Sequence, residues 1–155
     1  MNSASSITGV CMIETLNLNP PTFPETEHFL TGKIPLGDDT VTLVEILSHD
    51  RKTIAAWMDY SETVRREWDD VTKPMFILVD MSAGEFSFGA YANKRAADMM
   101  EIQAEIPTYI AWVITKSIMG NLFRATLNAY NLSRRKARFM IVYSREDAYN
   151  WLNDA

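Results

Sequence analysis

Three short apolar runs, FILVD from Phe76, YIAWVIT from Tyr109 and RFMIVYS from Arg138, constrain this chain more than any other feature. Each is too brief for a buried helix and carries too few polar residues for a half-exposed strand, so each reads as a strand covered on both faces. Between them the apolar period changes from two to about 3.6, the signature of an amphipathic helix. Strands and helices that alternate in this way imply a mostly parallel sheet with helices over it, because parallel neighbours need a crossover connection.

The spacing predicts four helices. In the first, Ile54, Trp57, Met58, Ser61, Val64, Arg65 and Trp68 share one stripe, Asp50 is placed to cap the N-terminus, and Lys73-Pro74 lies beyond the end. Its two tryptophans are expected to anchor the core. The second carries Phe88, Tyr91, Ala92, Ala96, Met99, Ile102 and Ile106 and should run until Pro107. A third uses Met119, Leu122, Phe123, Thr126 and Tyr130, and REDAYNWL closes the chain with a short helix that buries Ala148, Trp151 and Leu152.

Ahead of the first helix, FLTGKIPL and TVTLVEIL flank Gly37-Asp38 and predict a hairpin, so the parallel sheet should gain an N-terminal antiparallel edge. Pro35 lacks a backbone donor and assigns the first of these segments to an edge. Residues 1–27 contain NPPTFPETE and read as an arm or leader before a domain spanning 28–155, although MIETLNL, from Met12, could add an edge strand. The leader and the Pro35 edge could together support a homodimer.

A chain of 155 residues that is 47% apolar is long enough to bury a core as one domain without disulfide or metal support. Its single cysteine, Cys11, forms no internal disulfide, no secretory signal pattern opens the chain, and no apolar stretch nears the roughly 20 residues of a membrane helix. These readings point to a cytoplasmic protein without a membrane span. The net charge of -5 opposes general nucleic-acid binding, yet Lys116, Arg124, Arg134, Arg135, Lys136, Arg138 and Arg145 occupy a stretch without Asp or Glu. The basic third reads first as a solvated face that balances acids elsewhere and, more sharply, as a docking surface for an anionic ligand or an acidic partner, while RRKAR lacks the interleaved aromatics of a single-strand groove and so opposes nucleic acid.

Polar residues that follow parallel strands collect on one edge of the sheet, where a site is expected. They are His49 and Asp50, then Asp80, Ser82, Glu85, Ser87 and Gly89, then Thr115, Lys116 and Ser117, and finally Ser144 and Arg145. Asp50, Ser87, Ser117 and Ser144 are also the residue types that cap helices. The chain has two histidines, no Gly-x-Ser-x-Gly elbow, no P-loop and no clustered metal ligands, so the sequence assigns no catalytic residue, cofactor or metal. Thr115, Lys116 and Ser117 open a helix in the manner of an anion site. Met99, Met100 and Met119 could line an adaptable pocket for a nucleotide or a lipid-like acid.

The order of elements, with VTLVEI, FILVDMSAGEFSFGAY and ARFMIVYSREDAYNWL as its strongest pieces, resembles the STAS domain of sulphate transporters and anti-sigma-factor antagonists. It is most similar to stage II sporulation protein AA-like sheets of uncharacterised bacterial proteins. That resemblance spans residues 29–153 and implies a STAS-like α/β fold and a non-catalytic regulatory module that binds a protein partner, kinase-like or otherwise signalling, around Asp80 to Gly89. It further implies a phosphorylated serine, whose counterpart is Ser87. Phe86 stands where the family pattern has an acid.

Overall fold

The computed structural model describes residues 17–19, 23–24, 29–84, 89–116, 120–121, 124–125, 127 and 136–155. Among these residues six strands form one sheet, and they lie side by side in chain order. They are β1 (Phe23–Pro24), β2 (Phe29–Leu36), β3 (Asp39–Ile46), β4 (Met75–Asp80), β5 (Thr108–Val113) and β6 (Ala137–Val142). The pairs β1–β2 and β2–β3 are antiparallel, and the three pairs from β3 to β6 are parallel. The expected hairpin turns at Gly37, whose φ of 59° suits glycine at the first central position of a two-residue loop.

Helix α1 (Arg51–Arg66) starts where expected, with the Asp50 side chain accepting from the Thr53 backbone N–H. Ser48 donates to the same carboxylate, and these hydrogen bonds hold the Asp50 pKa down at about 2. Helix α2 (Ala90–Glu101) is shorter than its apolar pattern suggests. It stops before Ile102 because Gln103 turns into the left-handed region at φ 47°, and the carbonyls of Ile102 and Gln103 both accept from the Arg65 guanidinium. Ile106 is buried nonetheless, from the loop that follows. The N-cap of α2 is Gly89, which has no side chain to cap with, and Ser87 lies outside the described residues.

Alternation along the strands divides the core in two. On one face Val44, Val79, Ile110 and Trp112 meet Trp57 and Met58 of α1 and Met99 and Met100 of α2. Trp57 stands edge-on to Trp112 at 5.4 Å between ring centroids, so this stripe tryptophan is a core anchor. On the other face Val41, Leu43, Leu78 and Ala111 receive Ala148 and Leu152 of the closing helix α3 (Arg145–Asn153). Of the expected third helix, Gly120, Asn121, Arg124, Ala125 and Leu127 are helical; Met119, Leu122, Phe123, Thr126 and Tyr130 lie outside the described residues.

In the N-terminal segment a strand pairs with the outer side of β2 inside the proline group, Phe23–Pro24 matched to Thr31 and Leu30, whereas residues 12–16 of MIETLNL lie outside the described residues. Leu18, the last residue of the MIETLNL segment, forms a bend and packs on the second core.

Candidate functional site

The carboxyl ends of the parallel strands do collect the polar residues that the sequence assigns to a site, but they separate into three groups. The first is built around Arg145, at the start of α3. Glu45 and Asp80 are register partners on β3 and β4, so their side chains emerge together on the α3 face. Arg145 answers both: its Nε donates to Asp80 Oδ2 at 2.6 Å and its Nη2 lies 3.3 Å from Glu45 Oε2. Its Nη1 reaches Leu18 O at 3.2 Å and Asn19 Oδ1 at 3.0 Å. The remaining Asp80 oxygen, Oδ1, accepts from the Ser82 backbone N–H at 2.9 Å and from the Ser82 hydroxyl at 2.6 Å. Asp80 is thus 6% exposed, with both oxygens engaged inside the molecule. Ser82, Ala83 and Gly84 beyond it are exposed, as is Gly89, whereas Glu85 and Ser87 lie outside the described residues.

The second group lies on the other face, between the starts of α1 and α2. His49, Arg51, Gly89 and Tyr91 line a cavity of about 160 Å³, and the Arg51 guanidinium sits 4.4 Å from the Tyr91 ring centroid. Arg95, one turn further along α2, donates to the Tyr91 hydroxyl and bridges Asp59 at 2.7 Å and Glu62 at 3.2 Å on α1. Asp59 above all raises the Arg95 pKa further, which keeps α1 and α2 tied by a permanent cation.

The third group joins the ends of β5 and β6. Thr115 and Lys116 are exposed just past β5, while Ser117 lies outside the described residues. The Lys116 ammonium is 5.3 Å from the centroid of the Tyr143 ring, and the Arg124 guanidinium carbon is 5.1 Å from it. Tyr143 is one of three large apolar or aromatic side chains exposed among the described residues.

Away from this edge, a cavity of about 40 Å³ lies where α1 and α2 pack on the sheet. Its walls include Trp57, Tyr60, Met99, Met100, Ile110 and Trp112. Two of the three methionines expected to line a pocket therefore do so; Met119 lies outside the described residues. Arg65 closes one end, 2% exposed, with Nη1 donating to Thr108 Oγ1 at 2.9 Å.

Sequence reasoning missed Glu45, Tyr143 and the structural role of Arg65. The first was legible as the acid in TVTLVEIL that falls level with Asp80 once the register is known, and Arg65 as a charge on an apolar stripe. Tyr143 carried no signal beyond its place at a strand end.

These features define a small, mostly parallel α/β domain with helices on both faces of a sequentially ordered sheet. Among the described residues no helix is long and apolar enough to cross a membrane. No protein-family model matches the chain, and no curated protein matches it. Among solved structures it is similar to an uncharacterised DUF3478-family protein with a SpoIIAA-like fold from Shewanella loihica PV-4. The two share 14% identity at a TM-score of 0.55, over 84% of this chain and 98% of the other. The chain has a SpoIIAA-like fold, as the resemblance of its sequence implies.

Proposed function

We propose that this protein is a non-catalytic binding domain that senses a small apolar or amphiphilic molecule between its helices and its sheet. The observation that carries this reading is the unfilled space bounded by Trp57, Trp112, Met99 and Met100. Space of about 40 Å³ exceeds the roughly 10–15 Å³ that one water needs, and such apolar walls favour an organic group over water. Methionine side chains have three soft torsions and a polarisable sulfur, so they can yield to admit an aromatic ring or a short acyl chain. Trp57 and Trp112 provide the test. Titration with indole and with octanoate is expected to change tryptophan emission saturably and to raise the melting temperature. Met100→Trp, which fills the space, should abolish both responses while the protein stays folded. Flat titrations of the unaltered protein at millimolar ligand would end this reading.

A second reading, a regulatory surface that docks a signalling protein around Asp80 to Gly89, is supported by the loop after β4. Ser82, Ala83, Gly84 and Gly89 stand exposed, while Asp80 anchors the base of that loop through Arg145 and Ser82. Lys116 would border the same surface. A photo-crosslinker at Ala83, used in the native host, is expected to trap one kinase-like or signalling partner, and phosphate on Ser87 should suppress the product. Absence of any crosslink at Ala83, with Ser87 unmodified, would remove it. Either reading suits a reducing cytoplasm, the setting we propose for a chain whose one cysteine is Cys11.

A further inference from the structure

We infer that Lys116, Arg124 and Tyr143 form a binding site for a phosphate monoester at the carboxyl ends of β5 and β6. The inference is independent of the helix–sheet cavity and extends the Lys116 anion reading to a basic residue and an aromatic ring beside it. It begins with an electrostatic imbalance. Two cations converge within 5.3 Å of the centroid of one half-exposed ring. Among the described residues neither is in an ion pair, and the Arg124 Nε is shielded from solvent with no hydrogen-bond partner. From Lys116 to Arg145 the sequence supplies no carboxylate to balance them.

The cluster contrasts with the other two cation groups along this edge. Arg145 holds two carboxylates. Arg51 and Arg95 share the Tyr91 ring, but there Arg95 brings Asp59 and Glu62 with it. Among the described residues the Tyr143 group gathers its cations without an acid. Two cations that share one aromatic ring and have no carboxylate between them raise the local positive potential and attract an anion to that ring. Guanidinium presents a planar fork that matches phosphate oxygens, ammonium adds a compact point charge, and the tyrosine face offers a stacking surface for an organic substituent. That combination suits a doubly charged phosphate on an aromatic or otherwise flat group better than a bare carboxylate.

The test uses the full chain at low ionic strength with two probes, phenyl phosphate and inorganic phosphate, followed by calorimetry and by ³¹P line broadening. Both should bind, phenyl phosphate more tightly, and both should weaken as salt is raised. Lys116→Gln and Arg124→Gln should each weaken phenyl phosphate by about tenfold, the cost of one charge-assisted contact. Tyr143→Leu should erase the advantage of the phenyl ring but leave inorganic phosphate bound. Lys116 is exposed, so its variant keeps the test open should changes at Arg124 or Tyr143 impair folding. Lack of binding at about 10 mM probe, a range in which even very weak complexes register, would overturn the proposal. So would equal binding by Lys116→Gln and the unaltered protein, since the anion would then sit elsewhere.

Discussion

Asp80 illustrates how a residue that stands out in the sequence also takes structural work at the end of its strand. An acid that ends an apolar strand invites a functional reading, yet here the carboxylate holds Arg145 on one oxygen and the Ser82 turn on the other. Removing the guanidinium would leave Asp80 and Glu45 facing one another with little water between them. Arg145→Met is therefore expected to cost about 3 kcal/mol in urea unfolding. Glu45→Gln, at a more exposed carboxylate, should cost about 1 kcal/mol. Because Glu45→Gln also removes one side of the repulsion that Arg145→Met exposes, the double variant should lose less than the sum of the two single changes. Strict additivity would mean that Glu45 and Arg145 do not interact.

At the scale of elements, helix ends were less legible than helix interiors. The stripe of α1 and the caps at Asp50 and Ser144 follow from side-chain type, and the structure shows both caps accepting backbone N–H groups. The end of α2 does not follow from its own sequence, since Ile102 and Ile106 continue the apolar period past the point where the helix stops. Where it ends, Gln103 turns into the left-handed region and Arg65, far away in the chain, donates to the carbonyls of Ile102 and Gln103. Arg65→Leu should leave those carbonyls and the Thr108 hydroxyl short of a donor and destabilise the protein by about 3 kcal/mol. Amide exchange should rise first in residues 102–106. Unchanged exchange there would show that the loop holds its shape without the arginine.

For the whole molecule, the alternation of apolar runs and helical stripes was enough to place the sheet, its parallel direction and its antiparallel hairpin. It was not enough to divide the polar edge. Which of those residues meet depends on register and on which face each helix takes, and a period carries neither. The N-terminal segment shows the same limit, because Phe23–Pro24 finds β2 and Leu18 finds the α3 face through tertiary contacts rather than local pattern. Deleting residues 1–27 is expected to leave a folded domain that melts at a lower temperature, by about 1–2 kcal/mol in stability, since Arg145 loses two acceptors and β2 loses its short partner. A truncated chain that fails to fold would move the start of the domain upstream.

The sequential order of the strands also bears on how the protein is made. With β1 to β6 lying in the order in which a ribosome releases them, no later strand has to wedge between two that have already paired. Each newly emerged strand can be laid against the free margin of a growing sheet, one station at a time. The last helix then brings Arg145 back to strands laid down long before it, a clasp that closes only when translation of this segment is done.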